Sequence, residues 1–193
     1  MDKPETRRFV RGDIVPRRVL TTIDGTRVAV PDADALIHLQ FRRFAACPIC
    51  NVHLGTLVRR HEEISAAGVI EVVVFHSEAS AMRPHQAGLP FAAVADPERV
   101  LYDEFGVGRS VRSLLNPRAW TSPLNPAAWQ VAAREWRDPD SRPFQVRGGS
   151  ITGLPADFLI APGGAVQAVR YGQHANDQWS VDELLDLVES DAA

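Results

Sequence analysis

FRRFAACPICNVHL, residues 41–54, holds both cysteines of the 193-residue chain, Cys47 and Cys50, with Pro48 and Ile49 between them. What surrounds this stretch decides the fold. DALIHLQF (34–41) alternates and ends in apolar residues, as a strand entering a core does. On the far side Val52, Leu54, Leu57, Val58 and Ile64 recur at helical spacing, and Gly68 is suited to stop that helix. VIEVVVFH (69–76) is a continuous apolar run bounded by turn signals, the pattern of a strand buried on both faces. The cysteine pair therefore lies at a strand-to-helix junction inside a βαβ unit.

Upstream, GDIVPRRVLTTIDGTRVAVPD (12–32) reads as two extended runs around Asp24-Gly25, a hairpin signal. Downstream, SEASAMRPHQAGL predicts a short helix interrupted near Pro84, FAAVADP (91–97) a brief strand, and ERVLYDEFGV a short helix carrying Val100, Leu101 and Phe105. This alternation predicts an α/β domain with a largely parallel sheet and helices on its faces. Residues 108–150 break the rhythm with prolines 117, 123, 126, 139 and 143 and with Trp120, Trp129 and Trp136, and they read as an insertion. Regular structure returns with ADFLIAP (156–162), Gly163-Gly164, AVQAVRYG (165–172) and a last helix over VDELLDLVE, with Ser180 as cap and Glu183 at the capping-box position. One domain over 12–193 is expected, preceded by a flexible tail over 1–11.

Composition narrows the partners. With 21 basic and 24 acidic residues the formal charge is −3, which offers no net basic field for a polyphosphate, so nucleic acid is not an expected partner. MDKPETRRFVRGD is polar where a secretory signal needs an apolar run, and no stretch of eighteen apolar residues occurs, so a membrane is not expected either. The expected compartment is the cytoplasm. There, two closely spaced cysteines are more often catalytic, redox-sensing or metal-binding than structural.

A cysteine just before a helix sits at its positive end, where free amides and the dipole stabilise a negative sulfur. Pro48 suits the first helical position, and the spacing places Cys50 one turn inside the helix, within disulfide reach of Cys47. Arg42 and Arg43 add positive charge nearby if they do not point into solvent. Three readings fit these residues: a redox dithiol, half of a zinc site with His53, or two small apolar residues on a scaffold without activity. The zinc reading needs two more ligands from elsewhere, so no metal is expected.

The position of the motif resembles a thioredoxin-like redox site. The chain more widely resembles the peroxiredoxin-like proteins of the AhpC/TSA group within the thioredoxin-like superfamily, over most of residues 12–190. GDIVPRRVLTTIDGTRV is similar to the family's N-terminal hairpin and FRRFAACPICNVHL to its active-site turn. VADPERVLYDEFGV is similar to its middle segment, and GLPADFLIAPGGAVQAVRYG to its closing hairpin. The resemblance implies a central mixed sheet flanked by helices. It also implies thiol-based redox chemistry with no cofactor beyond a Cys47–Cys50 disulfide.

The departures matter. The family's P-x-x-x-T-x-x-C is replaced by R-R-F-A-A-C-P-I-C. With Cys50 aligned to the peroxidatic cysteine, Cys47 takes the threonine position and Arg43 that of the proline; with Cys47 aligned, no hydroxyl is supplied. Pro155, ahead of Phe158, stands where the family's arginine would be and where thioredoxins keep a cis-proline. The resemblance thus points to thiol–disulfide exchange, with Cys47 attacking, Cys50 resolving and Pro155 presenting backbone groups to the bound chain. A thiol peroxidase acting on hydrogen or organic hydroperoxides is the first alternative, and a redox sensor or binding module the second. Expected partners are a disulfide, thiol or peroxide substrate and a thioredoxin-type or low-molecular-weight thiol reductant, and a homodimer is allowed. The scheme requires a sulfur anion open to solvent with a second sulfur in bonding reach.

Among other candidates, His76 ends the central strand and is either a proton shuttle or a hydrogen-bonded strand-end residue. His38 is expected to be structural, and Asp157 to face solvent. His85 and His174 fall in loops. The three insertion tryptophans suit an aromatic lid, a dimer contact or a private core. Arg109 and Arg112 either replace the missing arginine in space or are solvated.

Overall fold

The computed structural model describes residues 7–108 and 153–192. A hairpin of β1 (Arg18–Thr21) and β2 (Arg27–Val30) comes first, pairing Arg18 with Val30 and Thr21 with Arg27. Its turn is set by Gly25, at φ 90°, and by Asp24, whose carboxylate takes the Thr26 amide. Then follow β3 (Leu36–Arg42), α1 (Pro48–Arg59), α2 (His61–Ala66), β4 (Val69–Phe75), α3 (Ala79–Gln86), β5 (Ala92–Ala95), α4 (Val100–Glu104), β6 (Ala156–Ile160), β7 (Val166–Tyr171) and α5 (Val181–Ala192).

The main sheet has the order β5-β4-β3-β6-β7. β3, β4 and β5 run parallel, while β6 and β7 return antiparallel, so the sheet is mixed with helices on its faces, as expected. β3 and β4 lie in the middle, and their C-terminal ends coincide, Arg42 opposite Phe75. The cysteine turn leaves from that edge.

Period-2 alternation sorts the strands between two cores. Ile37, Leu39 and Phe41 of β3 join Val72, Val74, Phe158, Tyr102 and Phe105 on one face, where Phe41 packs edge-on to Tyr102 and Phe158. The opposite face carries Val73, Phe75 and Leu159 against Leu54, Leu57, Ile64, Trp179 and Leu184. The same alternation sends His38, Gln40 and Arg42 toward that second face.

Several boundaries differ from expectation. The single helix expected up to Gly68 breaks at Arg60, whose backbone leaves helical geometry; its guanidinium is held by Glu63 and Asp182, and acidic Glu62 and Glu63 favour a fresh helix start. α3 runs through Pro84 to Gln86 rather than breaking there. The expected tail is anchored from Arg7 onward: Phe9 stacks 5.2 Å from Phe105, and its amide donates to the Tyr171 hydroxyl at 2.9 Å. The capping box forms as read, with the Ser180 amide donating to Glu183 and the Glu183 amide to Ser180 Oγ. Most of the insertion, with Trp120, Trp129, Trp136, Arg109 and Arg112, lies outside the described residues.

Candidate active site

β3 delivers the chain to the sheet edge, and Pro48 opens α1 with Cys47 as its N-cap, φ −70° and ψ 111°. The Cys50 amide donates to Cys47 Sγ at 3.4 Å, so a sulfur occupies the place of the usual capping oxygen. Both cysteines are free, and their Sγ atoms are 2.7 Å apart. The second sulfur is therefore in bonding reach.

Access is the correction. Cys47 is 1% exposed and Cys50 0%, so neither sulfur is open to solvent. Side chains around the turn explain how it stays closed. The Ala45 amide donates to Ser77 Oγ at 3.1 Å. The Ala45 carbonyl takes Gln86 Nε2 at 2.9 Å and Asn51 Nδ2 at 3.1 Å, and Gln86 also reaches Asn51 Oδ1 at 3.0 Å. The segment after β4, α3 and α1 thus clasp a residue two positions before Cys47.

Arg43 does not point into solvent. It is buried, lies over the Phe44 ring at 5.6 Å, and its positive charge acts on both sulfurs. Burial, the hydrogen bond with Cys50 and the neighbouring sulfur's charge push the Cys47 thiol well up. Burial pushes Cys50 up too, but the hydrogen bond with Cys47, the Arg43 guanidinium, the Arg43 backbone amide and Arg42 outweigh it, leaving Cys50 lowered from 9.0 to about 7. The two sulfurs are close enough to share a proton, and the Arg43 guanidinium and backbone amide favour the anion on Cys50. The sequence reading gave first attack to Cys47; the electrostatics favour the other sulfur.

Arg42 is also buried, and Asp157 does not face solvent. Arg42 donates to Asp157 Oδ1 at 2.7 Å and to Gln40 Oε1 at 2.8 Å, and approaches His53 Nε2 at 3.4 Å. His38 bridges Asp157 Oδ1 at 3.2 Å and Glu71 Oε1 at 3.7 Å, while His61 meets Glu71 Oε2 at 3.3 Å near the surface. Burial alone would lower the His38 pKa, but Asp157 and Glu71 raise it. Burial would raise that of Asp157, but Arg42 and His38 hold it well below the usual carboxylate range. His53 is pushed down to about 3 by burial and by Arg42, so its ring is a neutral acceptor. Its Nε2 faces that guanidinium at 3.4 Å. Among the described residues no group of three or more His, Cys, Asp or Glu is placed to hold a metal ion.

This buried network was missed from sequence, though His38, Gln40 and Arg42 alternating with Ile37, Leu39 and Phe41 was a readable sign of a polar face under α1. The clasp of Ser77, Asn51 and Gln86 had no such sign, because it joins three elements across the fold.

His76 lies just beyond β4, at the same sheet end as Arg43, buried with its ring edge-on to Tyr102 at 5.5 Å. The Tyr102 hydroxyl bonds the Val74 carbonyl at 2.9 Å and that of Arg42. Pro155 departs from expectation. Its carbonyl accepts the Gly172 amide at 2.9 Å, extending the β6–β7 ladder, so that oxygen is already engaged. The cis bond among the described residues is Val30–Pro31 and not the one before Pro155, so the likeness to the thioredoxin proline fails. Gly172 is needed at this crossing, since a Cβ there would fall 2.6 Å from the Asp177 carbonyl and 2.7 Å from the Pro155 ring.

Among the described residues no helix is long and apolar enough to cross a membrane. Solved structures of the same fold include peroxidoxin BcpB from Mycobacterium tuberculosis, 15% identical, covering 93% of this chain and 96% of that one at a TM-score of 0.65. A peroxiredoxin-like protein from Aquifex aeolicus is 17% identical, with 96% and 90% covered and a TM-score of 0.61. AhpC of Mycobacterium tuberculosis is 15% identical, with 97% and 95% covered and a TM-score of 0.65. The thioredoxin-like fold of peroxiredoxin type is therefore the one present. No curated protein matches the chain. The family model described as AhpC/TSA antioxidant enzyme matches residues 56–174, more than half of the chain, starting beyond both cysteines. The chain belongs to the AhpC/TSA antioxidant enzyme family.

Proposed function

We propose that this protein is a thiol-dependent redox enzyme whose working group is the Cys47–Cys50 pair, exchanging electrons with disulfides. The observation that carries the reading is two free sulfurs 2.7 Å apart at a helix N-terminus beside Arg43. In the reductive direction the Cys50 thiolate attacks a substrate sulfur, the S–S bond breaks and a thiolate leaves. Cys47 then gives up its proton and displaces the remaining substrate sulfur, forming the Cys47–Cys50 disulfide. Two electrons pass to the substrate, and no bound cofactor is required. Because both sulfurs are sealed, the turn over residues 43–47 must lift before attack, and its clasp at Ala45 is the point of release.

The seal favours a second reading, a thiol peroxidase, because a hydroperoxide needs a smaller opening than a protein disulfide. Cys50 would attack the terminal oxygen, the O–O bond would break with an alcohol or water leaving, and Cys47 would displace water from the sulfenic acid to give the same disulfide. Cys47 occupies the family's threonine position in that alignment. Steady-state turnover of the purified protein, with Cys47→Ala and Cys50→Ala variants, separates the readings. Insulin-disulfide reduction lost in both variants supports exchange. Peroxide consumption far exceeding it would reverse the order, turnover surviving Cys50→Ala would return the first attack to Cys47, and no turnover in the parent protein would remove both readings in favour of a sensor or binding role.

A further inference from the structure

His38 is fully buried in β3, with one ring nitrogen committed and the other not. Nε2 meets Asp157 Oδ1 at 3.2 Å, and because that partner is a carboxylate oxygen, the proton of the neutral ring belongs on Nε2. Nδ1 is left as a bare, buried nitrogen without a hydrogen bond, 3.7 Å from Glu71 Oε1. A second proton on this ring would therefore find a carboxylate already beside it. Glu71 also gives that proton a way in, because its Oε2 lies 3.3 Å from Nδ1 of His61, whose side chain is 27% exposed.

The same Asp157 oxygen takes Arg42 Nη2 at 2.7 Å, so His38 and Arg42 divide one acceptor between them. Arg42 also faces the dithiol. Its Nη2 is 3.4 Å from His53, on the helix turn that follows Cys50, and its charge acts on the Cys50 sulfur. The charged groups that face His38 are thus Asp157 from β6, Glu71 from β4 and, through Asp157, Arg42 from its own strand. His53 of α1 is held neutral, and Trp179, whose ring is 5.8 Å away, carries no charge. A negative charge on Cys50 adds a third anion to Asp157 and Glu71, and a proton on His38 offsets it.

We propose that His38 takes up a proton when the Cys47–Cys50 disulfide is reduced and gives it back on oxidation, with Arg42 and Asp157 carrying the charge of the sulfur to it. This rests on the dithiol reading above and completes its proton count. A dithiol reductant closes to its own disulfide, giving two electrons and releasing two protons. The Cys47–Cys50 bond breaks, Cys47 takes one proton, Cys50 remains a thiolate, and the other proton goes to His38. His38 is a positioning residue in this scheme, because it acts on the sulfur through Arg42 and Asp157. By linkage, the sulfur anion favours the proton on His38 as strongly as that proton favours the anion.

The test follows the imidazole resonances of His38 across pH in the oxidised protein, the reduced protein and a Cys50→Ala variant, which has no sulfur anion at that position. The His38 signals are assigned by their loss in His38→Gln. The expected result is a midpoint about half a unit higher in the reduced protein than in the other two, about a threefold gain in proton affinity, because the charge acts at one remove. Reciprocally, His38→Gln should raise the midpoint of the Cys50 thiolate absorbance by about the same amount, a shift that a merely structural histidine would not produce. One His38 midpoint common to all three states overturns the proposal. A protein that cannot be oxidised, but whose His38 midpoint falls in Cys50→Ala, retains the coupling of sulfur and ring and refutes the dithiol reading. A disulfide that forms and leaves His38 unmoved does the reverse.

Discussion

Replacing Arg43 by Met keeps an aliphatic side chain and the backbone amide beside Cys50, and removes the guanidinium that lies over Phe44. Cys50 lies at about 7 against an ordinary 9.0, a difference worth roughly 3 kcal/mol between its two protonation states. An opposite charge within about 4–6 Å moves a pKa by about 1–3 units, and Arg43 shares the task with the Cys47 hydrogen bond, its own amide and Arg42. Its share is therefore taken at the low end, about one unit. At neutral pH the anionic fraction then falls from about a half to about a tenth. The assay is the ultraviolet absorbance of the thiolate followed across pH, which reads the buried sulfur without requiring the turn to open. Alkylation with mass mapping, run in parallel, assigns the titration to Cys50 or Cys47. An upward shift of about one unit, assigned to Cys50, is expected. An unchanged midpoint in a variant that remains folded would refute the electrostatic reasoning.

Other consequences concern the buried network and the clasp. Asp157→Asn leaves the Arg42 cation without its anion and should cost about 3–5 kcal/mol in denaturant unfolding, while Arg42→Met with Asp157→Leu should cost less, because no lone charge remains. The His38 pKa is raised in the folded state, so its contribution to stability is fully present below the unfolded value of about 6.5 and is lost as pH rises through the folded one. Unfolding free energy measured from pH 6 upward should therefore decline, and His38→Gln should flatten that decline. Gln86→Leu removes a donor from the Ala45 carbonyl, and should cost about 1–3 kcal/mol while raising the alkylation rates of Cys47 and Cys50 together. Equal rates in the variant and the parent would mean that the clasp does not hold the turn.

The elements flanking the cysteines were legible because their periodicity is strong: the apolar run of β4, the spacing of Leu54, Leu57 and Ile64, and the Ser180–Glu183 box all reappear in the structure. Adjacency of the two sulfurs was legible too, since a three-residue spacing at a helix start fixes it. Burial was not. The turn that carries Cys47 is held by Ser77, Asn51 and Gln86, which come from three separate parts of the chain and meet only once the sheet is assembled. Asp157 was misread for a related reason: β6 is covered on both faces, so no phase of its alternation reaches water, and a lone carboxylate is tolerated there only because Arg42 and His38 arrive from β3. Pro155 was read from its place in the chain, but its carbonyl belongs to the ladder with β7.

The proposal stands most directly on whether Cys47 and Cys50 form one reversible disulfide. Equilibration of the protein across thiol–disulfide buffers of graded potential, followed by acid quench, alkylation and intact-mass analysis, counts free thiols at each potential. Both thiols should disappear together in one two-electron transition, with no population carrying a single alkyl group or a buffer thiol at equilibrium. Thiols that stay reduced across the range, or that acquire separate mixed disulfides, would show that two neighbouring sulfurs at a helix start are packing and not chemistry.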